Sequence, residues 1–223
     1  MLGLATSKDG LHWTRHADNP IYRDQWVEDM QVVKHGDAYY MFAEGLNDEA
    51  QLLKSSDGVT WLRIARLDVR QRNGEPITAG PYGTPTALFE DNRWFLFYER
   101  SDRGIWLATS TDMQIWRNVQ DEPVLKPGPA AYDRDLVALN QVFKHDGKYY
   151  AYYHGAAKRT DGPTLWATAV AVSNDLVRWT KYPQNPLLPI ADNKSSGIVV
   201  HDGKRLRLYT MHDRVDVHFS KAE

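Results

Sequence analysis

The chain has no cysteine among its 223 residues, which excludes disulfides and thiolate metal centres and leaves the compartment open. It also lacks any apolar run of transmembrane length, and Met1-Leu2-Gly3-Leu4-Ala5-Thr6 has none of the charged, apolar and cleavage regions of a signal peptide. A soluble chain is expected, cytoplasmic on its face, with a secreted or periplasmic location left open. An excess of one charge is missing too: 27 Lys and Arg stand against 29 Asp and Glu, for a net charge of -2. That balance gives no general electrostatic reason to expect nucleic acid or an acidic membrane as partner. Amphipathic helical periodicity is absent. So are G-x-x-x-x-G-K-[ST], G-x-G-x-x-G after a strand, and H-E-x-x-H. Ser195-Ser196-Gly197 is not a nucleophile elbow of G-x-S-x-G type. No cofactor is expected. The scattered His154, His201, His212 and His218 show no tight ligand spacing, so no metal is expected either.

What the chain does have is repetition. Ser7-Asp9-Trp13, Ser55-Asp57-Trp61, Ser110-Asp112-Trp116 and Ser173-Asp175-Trp179 share one internal spacing. Each follows a strand of small and apolar residues, and Ser-x-Asp reads as a tight turn whose side chains hydrogen-bond the local backbone. The four Trp residues are expected between neighbouring sheets. Ahead of these units lie paired apolar runs. Gln31-Val32-Val33-Lys34-His35 leads to Tyr39-Tyr40-Met41-Phe42, and Gln141-Val142-Phe143-Lys144-His145 leads to Tyr149-Tyr150-Ala151-Tyr152. Ala87-Leu88-Phe89 with Trp94-Phe95-Leu96-Phe97, and Ile198-Val199-Val200-His201 with Leu206-Arg207-Leu208-Tyr209, follow the same pattern. Gly-Asp and Asp-Gly between such runs are hairpin signals.

Hairpin plus turn unit makes a four-stranded antiparallel sheet, strands a to d, and repeats of roughly 40–50 residues indicate propeller blades. Three units look complete, at 26–66, 82–124 and 136–188. The N-terminus supplies c and d alone, and the C-terminus supplies a, b and a c strand at Val215-Asp216-Val217-His218-Phe219. The segment 67–81, with Asn73-Gly74-Glu75-Pro76 and Gly80-Pro81, reads as a loop between blades. The expected fold is one all-β domain over 1–223, a five-bladed β-propeller whose first blade is incomplete. A four-bladed ring joined through the chain ends is the alternative. A partner chain, such as a second copy in a homo-oligomer, could cover the exposed edge.

In an antiparallel hairpin the start of strand a lies beside the end of strand b, and in a propeller these points converge on one face. Strand-a starts nominate Glu28 and Asp29, Thr84 and Pro85, Asn140, and Ser195 and Ser196. Strand-b ends nominate Glu44, Glu99, His154 and, slightly offset, His212. Asp133 and Asp135 precede the third complete hairpin and could reach the same mouth. Opposed carboxyl groups across a cleft suit glycoside hydrolysis, one protonating the leaving oxygen and the other activating water or attacking the anomeric carbon. Glu28, Asp29, Glu99 and His154 are the catalytic candidates. Trp26, Glu44, Tyr98, Arg100, Asp135, Asn140 and His212 are the candidate substrate contacts, with a carbohydrate as partner.

Gly3-Leu4-Ala5-Thr6-Ser7-Lys8-Asp9-Gly10-Leu11-His12-Trp13 followed by Asn19-Pro20 resembles the blade ends of five-bladed glycoside hydrolases. These form the β-fructosidase, arabinanase and β-xylosidase superfamily, including families 32, 43, 62, 68, 117 and 130. Asn185-Pro186-Leu187-Leu188 and Glu122-Pro123-Val124-Leu125 repeat the trait. The resemblance implies hydrolysis of a plant or algal oligosaccharide or glycoside. Val27-Glu28-Asp29-Met30 resembles a strand start that carries a base in those enzymes, so it implies a base or acid-modulating role for Asp29 and an acid role for Glu28. The other acidic strand starts of that pattern are replaced here by Thr84-Pro85 and Leu139-Asn140. One branch of the superfamily uses His as acid, which implies that role for His154 or His212. Inversion is expected because Asp29 and Glu99 come from different blades. A binding propeller without turnover, and a phosphorylase using Arg70, Arg72 and Arg100, are the rival readings.

Overall fold

The computed structural model describes residues 1–77 and 82–219. Among them every extended element is a strand, and there is no α-helix, only short 3-10 turns. No helix is long and apolar enough to cross a membrane. The N-terminal ribbon pairs β1 (Ala5–Thr6) with β2 (Thr14–Arg15). Sheet one runs β3 (Glu28–His35), β4 (Ala38–Glu44), β5 (Ala50–Ser55) and β6 (Leu62–Arg66). A short strand, β7 (Asp68–Arg70), precedes sheet two: β8 (Thr86–Glu90), β9 (Arg93–Glu99), β10 (Ile105–Ser110) and β11 (Ile115–Asn118). Sheet three comprises β12 (Leu136–His145), β13 (Lys148–Ala157), β14 (Leu165–Ser173) and β15 (Trp179–Lys181). Sheet four comprises β16 (Ser195–His201), β17 (Leu206–Met211) and β18 (Asp216–Phe219).

The sheets are antiparallel meanders in a propeller arrangement, as the hairpin pattern predicts. One expectation is met in its coarser form, and another needs correction. Four sheets, not five, have three or more strands among the described residues, so the structure counts as four blades beside the ribbon. The segment 67–81 is also not all loop. β7 pairs in parallel with β11, through Val69 opposite Trp116, and widens sheet two to five strands. Leu67 and Val69 are buried, and this apolar pair draws the segment onto the sheet edge. The Gly80-Pro81 end of that loop lies outside the described residues.

The Ser-x-Asp turns form as read. Ser55 Oγ donates to Asp57 Oδ1 at 2.9 Å, and the same oxygen accepts the N–H groups of Val59 and Thr60 at 2.8 and 2.7 Å. Asp9 Oδ1 repeats this with Leu11 and His12, and Asp175 Oδ1 with Val177 and Arg178. The backbone donors, Thr60 N–H foremost, hold the Asp57 carboxyl far below its ordinary range. The turn swings each Trp onto the sheet before it. Trp116 meets Phe42 of sheet one edge-on at 5.9 Å, and Trp179 meets Phe97 of sheet two at 6.0 Å. Trp61 packs with Leu2 and Tyr22 of the ribbon segment.

Trp13 departs from the expected burial. It meets Tyr209 of sheet four at 6.4 Å, yet its side chain is 55% exposed, against 0% for Trp116. The ribbon has no a and b strands to close over it. Trp116→Ala is therefore expected to cost about 3–5 kcal/mol of stability. Trp13→Ala should cost only about 0.5–1.5 kcal/mol, the worth of one aromatic pair. Urea unfolding of the two variants checks the contrast, and equal losses would contradict it.

Candidate active site

Strand starts converge on a depression of about 260 Å³, lined among others by Glu28, Asp29, Thr84, Asn140, Ser196 and Met211. The backbone is irregular at these points. The ladder slips between Glu28 and Gln31, between Leu139 and Gln141, and between Ser195 and Ile198. Asp29, Thr84 and Ser196 have positive φ, at 42°, 45° and 53°. For β-branched Thr84 such a φ is a genuine outlier, and strain of this sort is held where the surroundings fix it. Each bulge re-aims its side chain toward the common axis.

Three carboxyl groups meet around residues 83 and 84. Thr84 N–H donates to Glu44 Oε2 at 2.9 Å, and Thr84 Oγ1 donates to Asp29 Oδ2 at 3.4 Å. A Cβ on Gly83 would stand 2.5 Å from Glu44 Oε2 and 2.9 Å from Glu99 Oε1, so only glycine lets both acids close in there. Glu99 Oε2 accepts Asp102 N–H at 2.9 Å. Glu44 is 8% exposed. Burial pushes its carboxyl up to about 8. The Thr84 N–H opposes that rise, and Asp48 and the Asp29 charge add to it. Burial also raises the carboxyls of Asp29 and Glu99 from their ordinary values. Glu44 therefore keeps its proton at neutral pH.

The remaining candidates divide. Glu28 lines the depression with Asp29, and Trp26, two residues before it, is 52% exposed, its carbonyl accepting Gln51 Nε2 at 2.7 Å. Asn140 reaches the depression, and its Oδ1 lies 3.1 Å from His154 Nδ1. His154 itself does not suit an acid role. Burial and the neighbouring His212 drive its pKa down to about 4, so the ring is neutral at pH 7. His212 falls outside the strand-b column: Ser195 pairs with Met211, which takes the place of Glu44 and His154. His212 lies one residue on, exposed, with its ring 6.0 Å from Trp166.

Tyr98 is no subsite contact, being fully buried with its hydroxyl given to Asn118 Oδ1 at 2.6 Å. Arg100 stacks over Trp106 at 5.7 Å. Asp135 is engaged by Arg134 at 3.1 Å and by Lys158 N–H at 2.8 Å. Asp133 is buried and salt-bridged to Lys181 at 2.6 Å. Arg70 stands on β7 at the outer edge of sheet two, paired with Asp68 at 2.7 Å, and the backbone of Arg72 is bound to Asp121. The cation cluster that the rival phosphorylase reading would draw from Arg70, Arg72 and Arg100 therefore does not assemble at the depression. Among the described residues no three His, Asp or Glu side chains are grouped as metal ligands. The sequence reading missed Gly83 and the part played by Thr84 N–H. A glycine in a loop carries no signal of what will crowd it.

No family model matches the chain. An uncharacterised protein of Mycobacterium tuberculosis is 25% identical over 170 residues, 69% of this chain and 56% of that protein, so this chain spans about half of its relative. Solved structures of similar fold include a glycosyl hydrolase from Bacteroides ovatus, with a TM-score of 0.77 and 15% identity over 99% of this chain and 76% of that one. A family 117 glycoside hydrolase from Zobellia galactanivorans gives 0.63 and 18% over 87% and 69%. A β-1,2-mannobiose phosphorylase from Listeria innocua gives 0.70 and 19% over 96% and 64%.

The raised pKa of Glu44 makes stability depend on pH. Its folded value of about 8 lies above the ordinary 4.5, so between those limits the folded state binds the extra proton and stability falls as pH rises. His154, lowered from 6.5 to about 4, works the other way, adding stability as pH rises from about 4 to 6.5. Between pH 6.5 and 8 the Glu44 slope runs without that opposition. The urea midpoint should decline across this interval in the natural chain, and Glu44→Gln should abolish most of the decline. An unchanged slope in the variant would place the titrating group elsewhere. The chain shares the β-propeller fold of glycoside hydrolases and of a glycoside phosphorylase.

Proposed function

We propose that the chain is a glycoside hydrolase, with Glu44 as general acid and Asp29 as general base. The observation that carries this reading is the pair of hydrogen bonds from Thr84. One holds the protonated, buried carboxyl of Glu44 and the other reaches Asp29, which lines the depression. A general acid has to hold its proton at working pH, and Glu44 does so. Glu99, a catalytic candidate from the sequence, stands across Gly83 from Glu44, and in this reading it stabilises positive charge on the sugar ring. Trp26 offers an exposed ring for a sugar face.

The substrate is a plant or algal oligosaccharide or glycoside, taken by a soluble protein. Inversion is part of this reading: Asp29 lines the depression, where the attacking water would sit. Phosphorolysis would call for cations at the centre, and among the described residues no Lys or Arg is among the groups that bond to Asp29, Glu44 or Glu99. We further read the ribbon as the outer half of a fifth blade. Its Trp13 takes the place on sheet four that Trp116 takes on sheet one.

Screening aryl glycosides and oligosaccharides gives the substrate. Asp29→Asn and Glu44→Gln are then expected to lower kcat roughly 10²–10⁴-fold each, with the fold intact by circular dichroism. NMR of the first-formed anomer should show inversion. Full activity in both variants would remove the assignment, retained configuration would defeat the inverting mechanism, and a requirement for phosphate would favour the phosphorylase reading.

A further inference from the structure

Asn140 is the extra residue of the bulge in β12. Leu139 pairs with Tyr153 and Gln141 with Tyr152, so Asn140 falls between two rungs of the ladder. A bulged residue leaves the alternation of its strand, which re-aims its side chain. Here it lines the depression together with Glu28 and Asp29. Its Oδ1 lies 3.1 Å from Nδ1 of His154 on the neighbouring strand β13.

His154 fixes which end of that amide is free. A carboxamide oxygen accepts and cannot donate, so Nδ1 carries the hydrogen of the bond. Burial, with His212 adding to it, keeps the imidazole neutral at pH 7, which leaves Nε2 bare. The ring is 7% exposed and meets Trp166 edge-on at 5.3 Å, so packing sets its orientation. With its oxygen taken, Asn140 has the amide N–H2 left, and among the described residues Nδ2 has no hydrogen-bond partner.

That N–H2 group is unlike its neighbours. Among the described residues that line the depression, Asn140 has the only side-chain nitrogen. Glu28 and Asp29 accept when ionised. The hydroxyls of Thr84 and Thr86 are given to Asp29 and to the Leu139 carbonyl, and that of Ser196 lies 3.3 Å from Ser195 Oγ. A sugar hydroxyl both donates and accepts. Carboxylates satisfy its hydrogen, whereas its oxygen needs a donor.

We propose that Asn140 binds the substrate by donating an amide N–H to a hydroxyl oxygen of the sugar unit, with His154 as the positioning residue that keeps the amide turned that way. This rests on the glycoside hydrolase reading and gives a part to two residues that it leaves without one. Without the imidazole the amide is free to turn over and present its oxygen, one more acceptor beside two acids. His154 acts through Asn140 and does not touch the sugar.

The tautomer is read first, and needs no substrate. In the 15N-labelled chain at pH 7, the His154 signals are identified by their loss in His154→Gln. They should show hydrogen on Nδ1 and none on Nε2. Hydrogen on Nε2 would overturn the proposal, because the amide nitrogen would then face the ring. Kinetics follow with an aryl glycoside turned over in the screen. Asn140→Ala and His154→Leu should each raise KM about tenfold, the worth of one hydrogen bond, with kcat changed less than about twofold. His154→Gln keeps an N–H donor and should bring KM back toward that of the natural chain. The double variant should be no worse than Asn140→Ala alone, since His154 acts through that amide. Additive losses, or an unmoved KM in a single variant that circular dichroism shows to be folded, would overturn the proposal. A natural chain that turns over no glycoside defeats the hydrolase reading and this inference with it. Turnover with unmoved KM values defeats the inference alone.

Discussion

Aromatic side chains of one sheet set against the next hold this molecule together. Phe42 of sheet one receives both Trp94, at 5.7 Å, and Trp116, at 5.9 Å, from sheet two. His35 packs against Phe89 and Trp94 at the outer end of the same interface. Each sheet is thus apolar on both faces, and no sheet can be stable alone. The Ser-x-Asp turn serves that packing by aiming the Trp backward, and its hydrogen bonds recur at each of the four turns. Where an interface is missing a layer, the consequence is immediate: Trp13 keeps its turn and its contact with Tyr209 but stays in water.

Packing the faces in this way frees the strand ends for chemistry. The starts of the inner strands converge whatever their side chains are, so the axis position is set by the fold and its reactivity by substitution. Sheet three places His154 in the strand-b column where sheets one and two place Glu44 and Glu99, and sheet four places Met211 there. Asp29, Glu44 and Glu99 therefore gather around Gly83 and Thr84, at the boundary of sheets one and two. Gly83 and Thr84 lie in the connection between those sheets and supply the space and the N–H that let the acids come together.

Much of this was legible in the sequence. Asp-Gly turns between runs such as Gln141–His145 and Tyr149–Tyr152 fixed the hairpins, and the convergence of Asp29, Thr84, Asn140 and Ser196 followed from pairing rules alone. What escaped were features set by distance in space rather than order along the chain. β7 reads as loop because three residues carry no periodicity, and its pairing depends on an edge formed by β11 far along the chain. Tyr98 looks like a ligand contact beside Glu99, but alternation turns it to the opposite face, where Asn118 takes its hydroxyl. Protonation of Glu44 depends on burial, and burial of one acidic side chain has no local signature.

The same geometry explains why three carboxyl groups can share this site. Neutralising them with Lys or Arg would pin each in a salt bridge and lower its pKa, as happens to Glu90 under Lys144 and Tyr149. Here the repulsion is relieved by a proton on Glu44 and by neutral donors: Thr84 N–H, Thr84 Oγ1 and Asp102 N–H. Such donors favour the charged form without saturating it, so one carboxyl can stay protonated while another remains free to take a proton. The strained backbone at Asp29 and Thr84 holds both donors and acids in register against that repulsion. Stability given up to strain and like charge at the axis is supplied by the aromatic interfaces between the sheets.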